Sequence, residues 1–183
     1  MLQILVQVVA LKGTERKVVL YVACSLDGYI AGPDGDIRWL FTDQDYGYAD
    51  FLKRIDSIIM GRKTYDQLLD MGDFPYAGKD CYVFSRSAMG GDENVEFVNS
   101  PVKEFIEGLR ANDGKDIWLV GGSELIHDFM LAAIVDEFII SIHPMILGQG
   151  IPLFRTGLPT YELQLVNSES FSSGLVQMSY LGK

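Results

Sequence analysis

Apolar residues recur in this chain with two different spacings, which alternate along its length. The β-branched run at 18–24, VVLYVAC, predicts a buried strand. Further apolar runs predict strands at 57–60, 80–85, 95–98, 117–120 and 137–142. Helical spacing of apolar positions predicts helices over 44–55, from Arg62 to Gly72, from Pro101 (with Ser100 as N-cap) to Asn112, and from Ser123 to Ala133.

The order of these elements predicts the fold class. Strands alternate with helices, and residues 161–167 and 175–181 then alternate around a Ser-Ser-Gly turn, which is typical of a hairpin. We therefore expect an α/β fold with a twisted, mostly parallel sheet and an antiparallel C-terminal edge, flanked by helices.

The length of 183 residues predicts a single domain, over 17–183, after an extension of unknown role at 1–16. Within that extension the apolar run LQILVQVVAL, at 2–11, is too short to span a bilayer. It lacks the basic flank of a signal peptide. An added edge strand, a disordered extension and a misassigned start remain alternatives for it.

The net charge of −10 argues against nucleic acid and anionic membranes as general partners. Cys24 and Cys81 lie within predicted strands without CxxC spacing, so buried, reduced thiols and a cytoplasmic location are expected. His127 and His143 offer no metal-ligand spacing, and no metal site is predicted.

The sequence GRKT, Gly61–Thr64, begins a predicted helix with two cations. A helix N-terminus carries partial positive charge, so Arg62 and Lys63 each oppose the helix dipole by up to about 1 kcal/mol. A bound polyanion would reverse the sign of that effect, and free N–H groups at a helix start bind phosphate. Two solvated cations beside a helix that starts elsewhere are the alternative.

Two further junctions are suited to phosphate. Ser85-Arg86-Ser87 follows the predicted strand CYVF and offers a guanidinium with two hydroxyls. In Val120–Glu124, VGGSE, two glycines between a strand and a helix permit close approach of a ligand to the backbone. Taken singly, each is also explained as a turn. Together with GRKT, in an acidic chain, they predict a dinucleotide with an extra phosphate, NADP, as the ligand.

The order of several motifs resembles the dihydrofolate reductase superfamily. These motifs are VVLYVACSLDGYIAG with GDIRWL, then SIIMGRKTY, then AGK followed by YVFSR, then IWLVGGSELI. SLDGYIAG and HPMILGQGIPLF are closer to the riboflavin-biosynthesis branch, which includes the reductase domain of the bifunctional deaminase-reductase. The resemblance covers the chain from about Lys17 onward. It implies a dihydrofolate reductase-like sheet of about eight strands, NADPH as hydride donor and a homodimer.

The resemblance also implies roles for individual residues. It assigns cofactor phosphates to Gly61, Arg62, Lys63 and Thr64, the adenosine end with its 2′-phosphate to Ser85 and Arg86, the pyrophosphate to Gly121, Gly122, Ser123 and Glu124, and the nicotinamide to Ala23 and the loop Ile30–Ile37.

One departure from the superfamily concerns the proton donor. Dihydrofolate reductases carry an active-site carboxylate five residues after the loop tryptophan, but that position after Trp39 is Gln44. Asp43 and Asp45 flank it, and a shift of one residue turns a helix by about 100°. The proton donor therefore remains open between Asp43, Asp45 and water, and folate reduction is not predicted.

Several side chains have two interpretations at this stage. Trp39 would stack on a planar substrate or anchor its loop, and Asp27 would touch substrate or form an Asx turn before Gly28. Tyr65 would line the pocket or, from its spacing, lie in the core, while His143 is a weaker candidate for the nicotinamide or substrate wall.

The leading hypothesis is an NADPH-dependent reductase for a small C=N or C=O substrate, such as a pteridine- or pyrimidine-like heterocycle. The alternatives are an NADP-binding module without turnover and a structural protein with no nucleotide affinity.

Overall fold

The computed structural model describes residues 16–87 and 89–183. The predicted extension at 1–16 thus lies outside the described residues except for Arg16, which is buried. The strands are β1 Val18–Ser25, β2 Tyr29–Ala31, β3 Ile55–Gly61, β4 Asp80–Phe84, β5 Glu96–Val98, β6 Asp116–Gly121, β7 Glu137–His143, β8 Ile151–Pro152, β9 Leu163–Ser170 and β10 Val176–Gly182. The helices are α1 Tyr48–Arg54, α2 Arg62–Asp70, α3 Val102–Arg110 and α4 Ser123–Leu131.

Eight of these strands form one sheet in the order β5-β4-β3-β6-β1-β7-β10-β9. The six from β5 to β7 run parallel, and β10 pairs antiparallel with both β7 and β9. This confirms the predicted α/β fold, including its antiparallel C-terminal hairpin. The short strands β2 and β8 form a separate antiparallel ribbon.

Apolar side chains cover both faces of the sheet, as expected where helices flank parallel strands. Helices α3 and α4 pack on one face, where Ile126 and Phe129 are fully buried against Leu20 of β1. Helices α1 and α2 pack on the other face, where Phe51 lies in a cluster with Trp118 of β6. Alternate residues of β1 and β6 therefore pack into two cores, one on each face of the sheet.

Two predicted helix starts were wrong. Helix α1 begins at Tyr48 and not at residue 44, because Tyr46 and Gly47 have φ angles of 53° and 80°, and this left-handed backbone interrupts a helix. Helix α3 begins at Val102, with Pro101 in the N-cap position and Ser100 outside the helix. Among the described residues, no helix has both the length and the apolarity needed to cross a membrane.

Ion pairs line the edge of the sheet where the parallel strands begin. The Arg54 guanidinium lies 2.6 Å from the Asp116 carboxylate and 2.5 Å from that of Glu137. These carboxylates, Glu137 foremost, raise the pKa of Arg54. Arg16 and Arg110 pair with Asp56 and Asp136 at the same edge. The opposite edge, where the parallel strands end, carries the three junctions that the sequence predicted to bind phosphate.

Candidate active site

The three predicted phosphate junctions lie side by side. They follow β4, β3 and β6, which are consecutive in the sheet. Because the three strands are parallel, their carboxyl ends meet at one edge, where open α/β sheets bind ligands. A Cβ atom on Gly61 would lie 3.7 Å from the Gly121 carbonyl oxygen, and one on Gly122 would lie 3.5 Å from Thr64 Oγ1. The GRKT and VGGSE junctions are therefore in contact.

Helices α2 and α4 both begin at this edge without a side-chain cap. Their N-cap residues are Gly61 and Gly122, and a glycine has no side chain with which to cap a helix start. The first N–H groups of a helix have no acceptor within it, so both starts offer donors to an anion. Gly121 has a φ of 121° and joins Gly122 through a cis peptide bond. A polyphosphate suits this set of donors.

Two of the cations at this edge, Arg62 and Arg86, have acidic partners. Arg62 is exposed, lies over the Phe97 ring at 5.1 Å from its centroid, and pairs with Asp66 at 2.7 Å. Arg86 has a 93% exposed side chain whose guanidinium lies 3.7 Å from the Glu124 carboxylate. A phosphate would compete with these carboxylates for the guanidinium groups.

Sequence reasoning missed Arg155. Its guanidinium lies 3.5 Å from Glu124, which is thereby placed between Arg155 and Arg86. Arg155 follows HPMILGQGIPLF directly, so its position after a motif already noted is the signal that was available.

Other predicted cofactor residues have structural partners. Ser123 is buried, and its hydroxyl donates to the Pro152 carbonyl oxygen of β8 at 2.6 Å. The Ser85 N–H donates to the Val98 carbonyl oxygen at 2.9 Å. Ala23 pairs with Ser141 of β7 in the sheet. The Ser123 hydroxyl hydrogen is therefore already engaged within the protein and is not available to a ligand at this edge.

The loop that was predicted to border the nicotinamide is divided between two environments. Ile30 lies in β2 and packs against the core cluster on the α3–α4 face of the sheet. The end of the loop forms a turn in which the Trp39 ring N–H donates to the Asp36 carbonyl oxygen at 3.1 Å. Ala23 and Ile30 are thus carried by different strands, β1 and β2.

A shallow pocket of about 400 Å³ lies farther along the same edge, beyond β1 and β7. Its lining is formed by Leu40, Phe41, Thr42, Asp43 and Ser173. The last of these belongs to the turn between β9 and β10, so the hairpin contributes directly to the pocket.

Tyr46 fixes the loop that walls this pocket. Its hydroxyl donates to the Asp43 carboxylate at 2.6 Å and lies 2.8 Å from the Ser173 hydroxyl. Its backbone carbonyl accepts from the Gln177 amide of β10 at 3.3 Å and from the Tyr21 hydroxyl of β1 at 3.4 Å. These bonds hold Tyr46 in its left-handed conformation.

The two candidate proton donors have different surroundings. Asp45 accepts from the Ala49 N–H at 3.0 Å and so caps the start of α1. Asp43 lines the pocket and is exposed. Gln44, between them, is also exposed. Of the two carboxylates, Asp43 is the one that the structure brings to the pocket.

Asp27 and Tyr65, both predicted to touch substrate, have hydrogen-bond partners within the protein. The Asp27 carboxylate accepts from the Ser25 hydroxyl at 2.6 Å and from the N–H groups of Leu147 and Gly148 at 3.1 and 2.8 Å. These donors, the hydroxyl above all, lower the pKa of Asp27. Tyr65 is 1% exposed, and its hydroxyl donates to Asp92 at 2.8 Å. The prediction that Tyr65 lines the pocket was therefore wrong, because its ring lies in the core.

Trp39 and His143 meet beside the pocket. Their rings are nearly perpendicular, with centroids 5.2 Å apart, and the Phe41 ring lies 4.8 Å from His143 on the same loop. Trp39 thus anchors its loop, as one of its two interpretations predicted. Within the described residues, no three His, Cys, Asp or Glu side chains are grouped as a metal site.

Known proteins are similar to this chain in sequence and in fold. The chain is 40% identical over 178 residues to the uncharacterized protein YyaP of Bacillus subtilis strain 168, covering 91% of this chain and 95% of that protein. A crystal structure named "Putative riboflavin biosynthesis protein", from Shewanella sp. PV-4, superposes with a TM-score of 0.83 at 28% identity, covering 91% and 99% of the two chains.

The fold is shared more widely. Dihydrofolate reductase from Enterococcus faecalis, complexed with NADP(H) and RAB-propyl, superposes with a TM-score of 0.70 at 15% identity, covering 92% of this chain and 98% of that one. This likeness shows the dihydrofolate reductase-like fold. The sequence profile of the RibD C-terminal domain matches residues 84–177, which include the end of β4, the GGSE junction and most of the hairpin. The chain therefore belongs to the RibD C-terminal domain family.

Proposed function

We propose that the protein is an NADPH-dependent reductase that delivers a hydride to a small C=N or C=O substrate, such as a pteridine- or pyrimidine-like heterocycle. The observation that carries this proposal is the meeting of two uncapped helix starts with the cations Arg62, Lys63 and Arg86 at one edge of an acidic protein. Membership of a family with a reductase-type fold supports it.

Different residues at this edge would bind different parts of the cofactor. The starts of α2 and α4, with Thr64, would hold the bridging phosphates, and Arg86 would hold the phosphate on the adenosine ribose. Arg62 and Lys63 would then be stabilised by the ligand, which offsets their unfavourable position in the helix dipole. When bound, the nicotinamide supplies the hydride. Farther along the edge, the pocket would hold the substrate, with Asp43 placed to supply a proton.

The cofactor assignment is tested by measuring binding of NADPH and NADH to the wild-type protein and two variants. Arg86→Ala should weaken NADPH binding roughly three- to tenfold, a modest factor because this cation is solvent-exposed, and should leave NADH binding unchanged. Lys103→Ala, which removes an exposed cation from α3, is the matched control and should change neither affinity. Equal weakening of both cofactors in Arg86→Ala would contradict a role in binding the 2′-phosphate.

A second candidate function is a nucleotide-binding module without turnover. It is favoured by the exposed Gln44 at the position where dihydrofolate reductases carry a carboxylate, and by the engagement of Asp45 in capping α1. Loss of absorbance at 340 nm with a panel of heterocycles separates the two functions. Tight NADPH binding with no oxidation by any compound would favour the module.

A further inference from the structure

His143 ends β7 at the edge of the sheet and is 3% exposed. Trp39 and Phe41 cover its ring, and both belong to a segment, 39–43, that supplies four wall residues of the pocket. A polar ring in this position has to be explained, since burial of an imidazole is unfavourable unless its nitrogens are engaged.

One nitrogen of His143 holds that segment. The Phe41 N–H donates to Nε2 at 3.1 Å. A ring nitrogen that accepts a hydrogen bond carries no proton, so the neutral imidazole is protonated on Nδ1. Within the described residues Nδ1 is buried and has no hydrogen-bond partner. The contact between β7 and this wall of the pocket therefore depends on the Nε2 lone pair.

Protonation would break that contact. In the imidazolium both nitrogens are donors, so an N–H on Nε2 would face the Phe41 N–H. Burial lowers the pKa of His143, and the negative charge of Asp43 partly offsets this. Asp43 is the charged group that faces the ring from the loop. From β1 the neighbouring Cys24 thiol is neutral, since burial raises its pKa to about 11.

We propose that His143 is a positioning residue: its neutral imidazole holds segment 39–43 as the wall of the pocket, and its protonation releases that segment. The use of this wall to bind substrate rests on the proposed function, but the release itself does not. Because the folded pKa is lowered, the wall is held at neutral pH and is lost as the pH falls below the ordinary histidine value of 6.5.

Histidine NMR tests the protonation state directly. The chain has two histidines, so His127→Gln leaves the His143 signals alone in the spectrum. We expect the Nδ1–H tautomer and an apparent pKa below 6.5. An Nε2–H tautomer at neutral pH, or an unshifted pKa, would overturn the proposal.

Two variants distinguish the hydrogen-bond acceptor at His143 from the positive charge that the ring gains on protonation. His143→Gln keeps an acceptor near the Nε2 position but cannot titrate, whereas His143→Leu removes the acceptor. At pH 7, exchange of the Phe41 amide hydrogen should be about tenfold faster in His143→Leu than in wild type, and close to wild type in His143→Gln. Equal protection in all three proteins would refute the role of the hydrogen bond.

Tryptophan fluorescence reports the release itself. Trp39 touches His143, so its emission should change as the pH falls through the His143 pKa found by NMR, in wild type and in His127→Gln but not in His143→Gln. Trp39→Phe, in which the buried Trp118 is the one remaining tryptophan, should remove the same transition. A transition that survives in His143→Gln would contradict the assignment. If His143→Leu fails to fold, the NMR and fluorescence results still decide.

The link to function is tested last. With an active substrate, His143→Leu should raise KM severalfold and leave the NADPH dissociation constant unchanged, because the phosphate junctions follow β3, β4 and β6 and not β7. A raised NADPH dissociation constant with unchanged KM would count against the pocket assignment. If the protein binds no NADPH, the proposed function is refuted, while the NMR, exchange and fluorescence outcomes still test the His143 assignment.

Discussion

Replacement of Gly150 by alanine should destabilise the protein through a clash of backbone against backbone. Gly150 has a φ of 154°, and a Cβ atom there would lie 2.2 Å from the Ala31 carbonyl oxygen. It would also lie 3.2 Å from Gly32 Cα. Since the neighbouring atoms belong to the main chain, no side-chain rotation relieves the contact, and β2 and β8 must separate.

The magnitude follows from two costs. A residue held in a backbone region reserved for glycine costs about 1–3 kcal/mol. Forcing an extra carbon into a filled space adds a similar amount, part of which is relieved as the ribbon shifts. We therefore expect a loss of about 2–4 kcal/mol in the free energy of unfolding, which lowers Tm by roughly 2–4 °C for each kcal/mol in a chain of this size.

Gly148→Ala provides the matched control in the same loop. Gly148 has a φ of 74°, but a Cβ atom there would meet nothing within 4 Å. Its cost should be about 1 kcal/mol, from the left-handed backbone alone. Urea unfolding followed by circular dichroism measures both variants. If Gly150→Ala unfolds within about 0.5 kcal/mol of Gly148→Ala, the close approach of β2 and β8 is refuted.

Three further predictions concern charge and burial. Arg54→Met removes the guanidinium that pairs with both Asp116 and Glu137, and leaves Glu137 with Lys17 at 3.9 Å. It should cost about 2 kcal/mol in urea unfolding, whereas the exposed Lys53→Met should change stability by less than about 0.5 kcal/mol. Cys24 and Cys81 are buried, with the pKa of each raised to about 11, so a thiol reagent at pH 8 should label them only in denaturant. The pKa of the Asp27 carboxylate is lowered from 3.8, so it stabilises the protein above that pH; Asp27→Asn should remove this part of the acid-induced loss of stability, measured by Tm against pH.

The mostly parallel sheet and the positions of the three junctions at strand ends were predictable because each follows from a local pattern. A β-branched run ending in glycine and followed by helical spacing describes one junction without reference to the rest of the chain, as at Gly61 and at Gly121. Parallel strands then bring such junctions to one edge by geometry alone.

The residues that complete the pocket were not predictable, because they come from distant parts of the chain. Ser173 meets the Tyr46 hydroxyl across 127 positions of sequence, and Gln177 meets the Tyr46 carbonyl across 131. The left-handed Tyr46 that makes these contacts also delays the start of α1 to Tyr48, although the apolar spacing predicted a helix from residue 44. The resemblance assigned Ser123 to the pyrophosphate, yet its hydroxyl donates to the Pro152 carbonyl oxygen of β8, 29 positions farther along the chain.

The strand order has a consequence for synthesis of the chain on the ribosome. β6 lies between β1 and β3, although it comes after both in the sequence. A nascent chain that stops short of Asp116 therefore has its earliest strands with no partner between them. Strands β3, β4 and β5 can pair without that segment, whereas the sheet neighbours of β1 are the later strands β6 and β7. We therefore expect the apolar β1 to need protection in the nascent protein until more than half of the polypeptide has emerged.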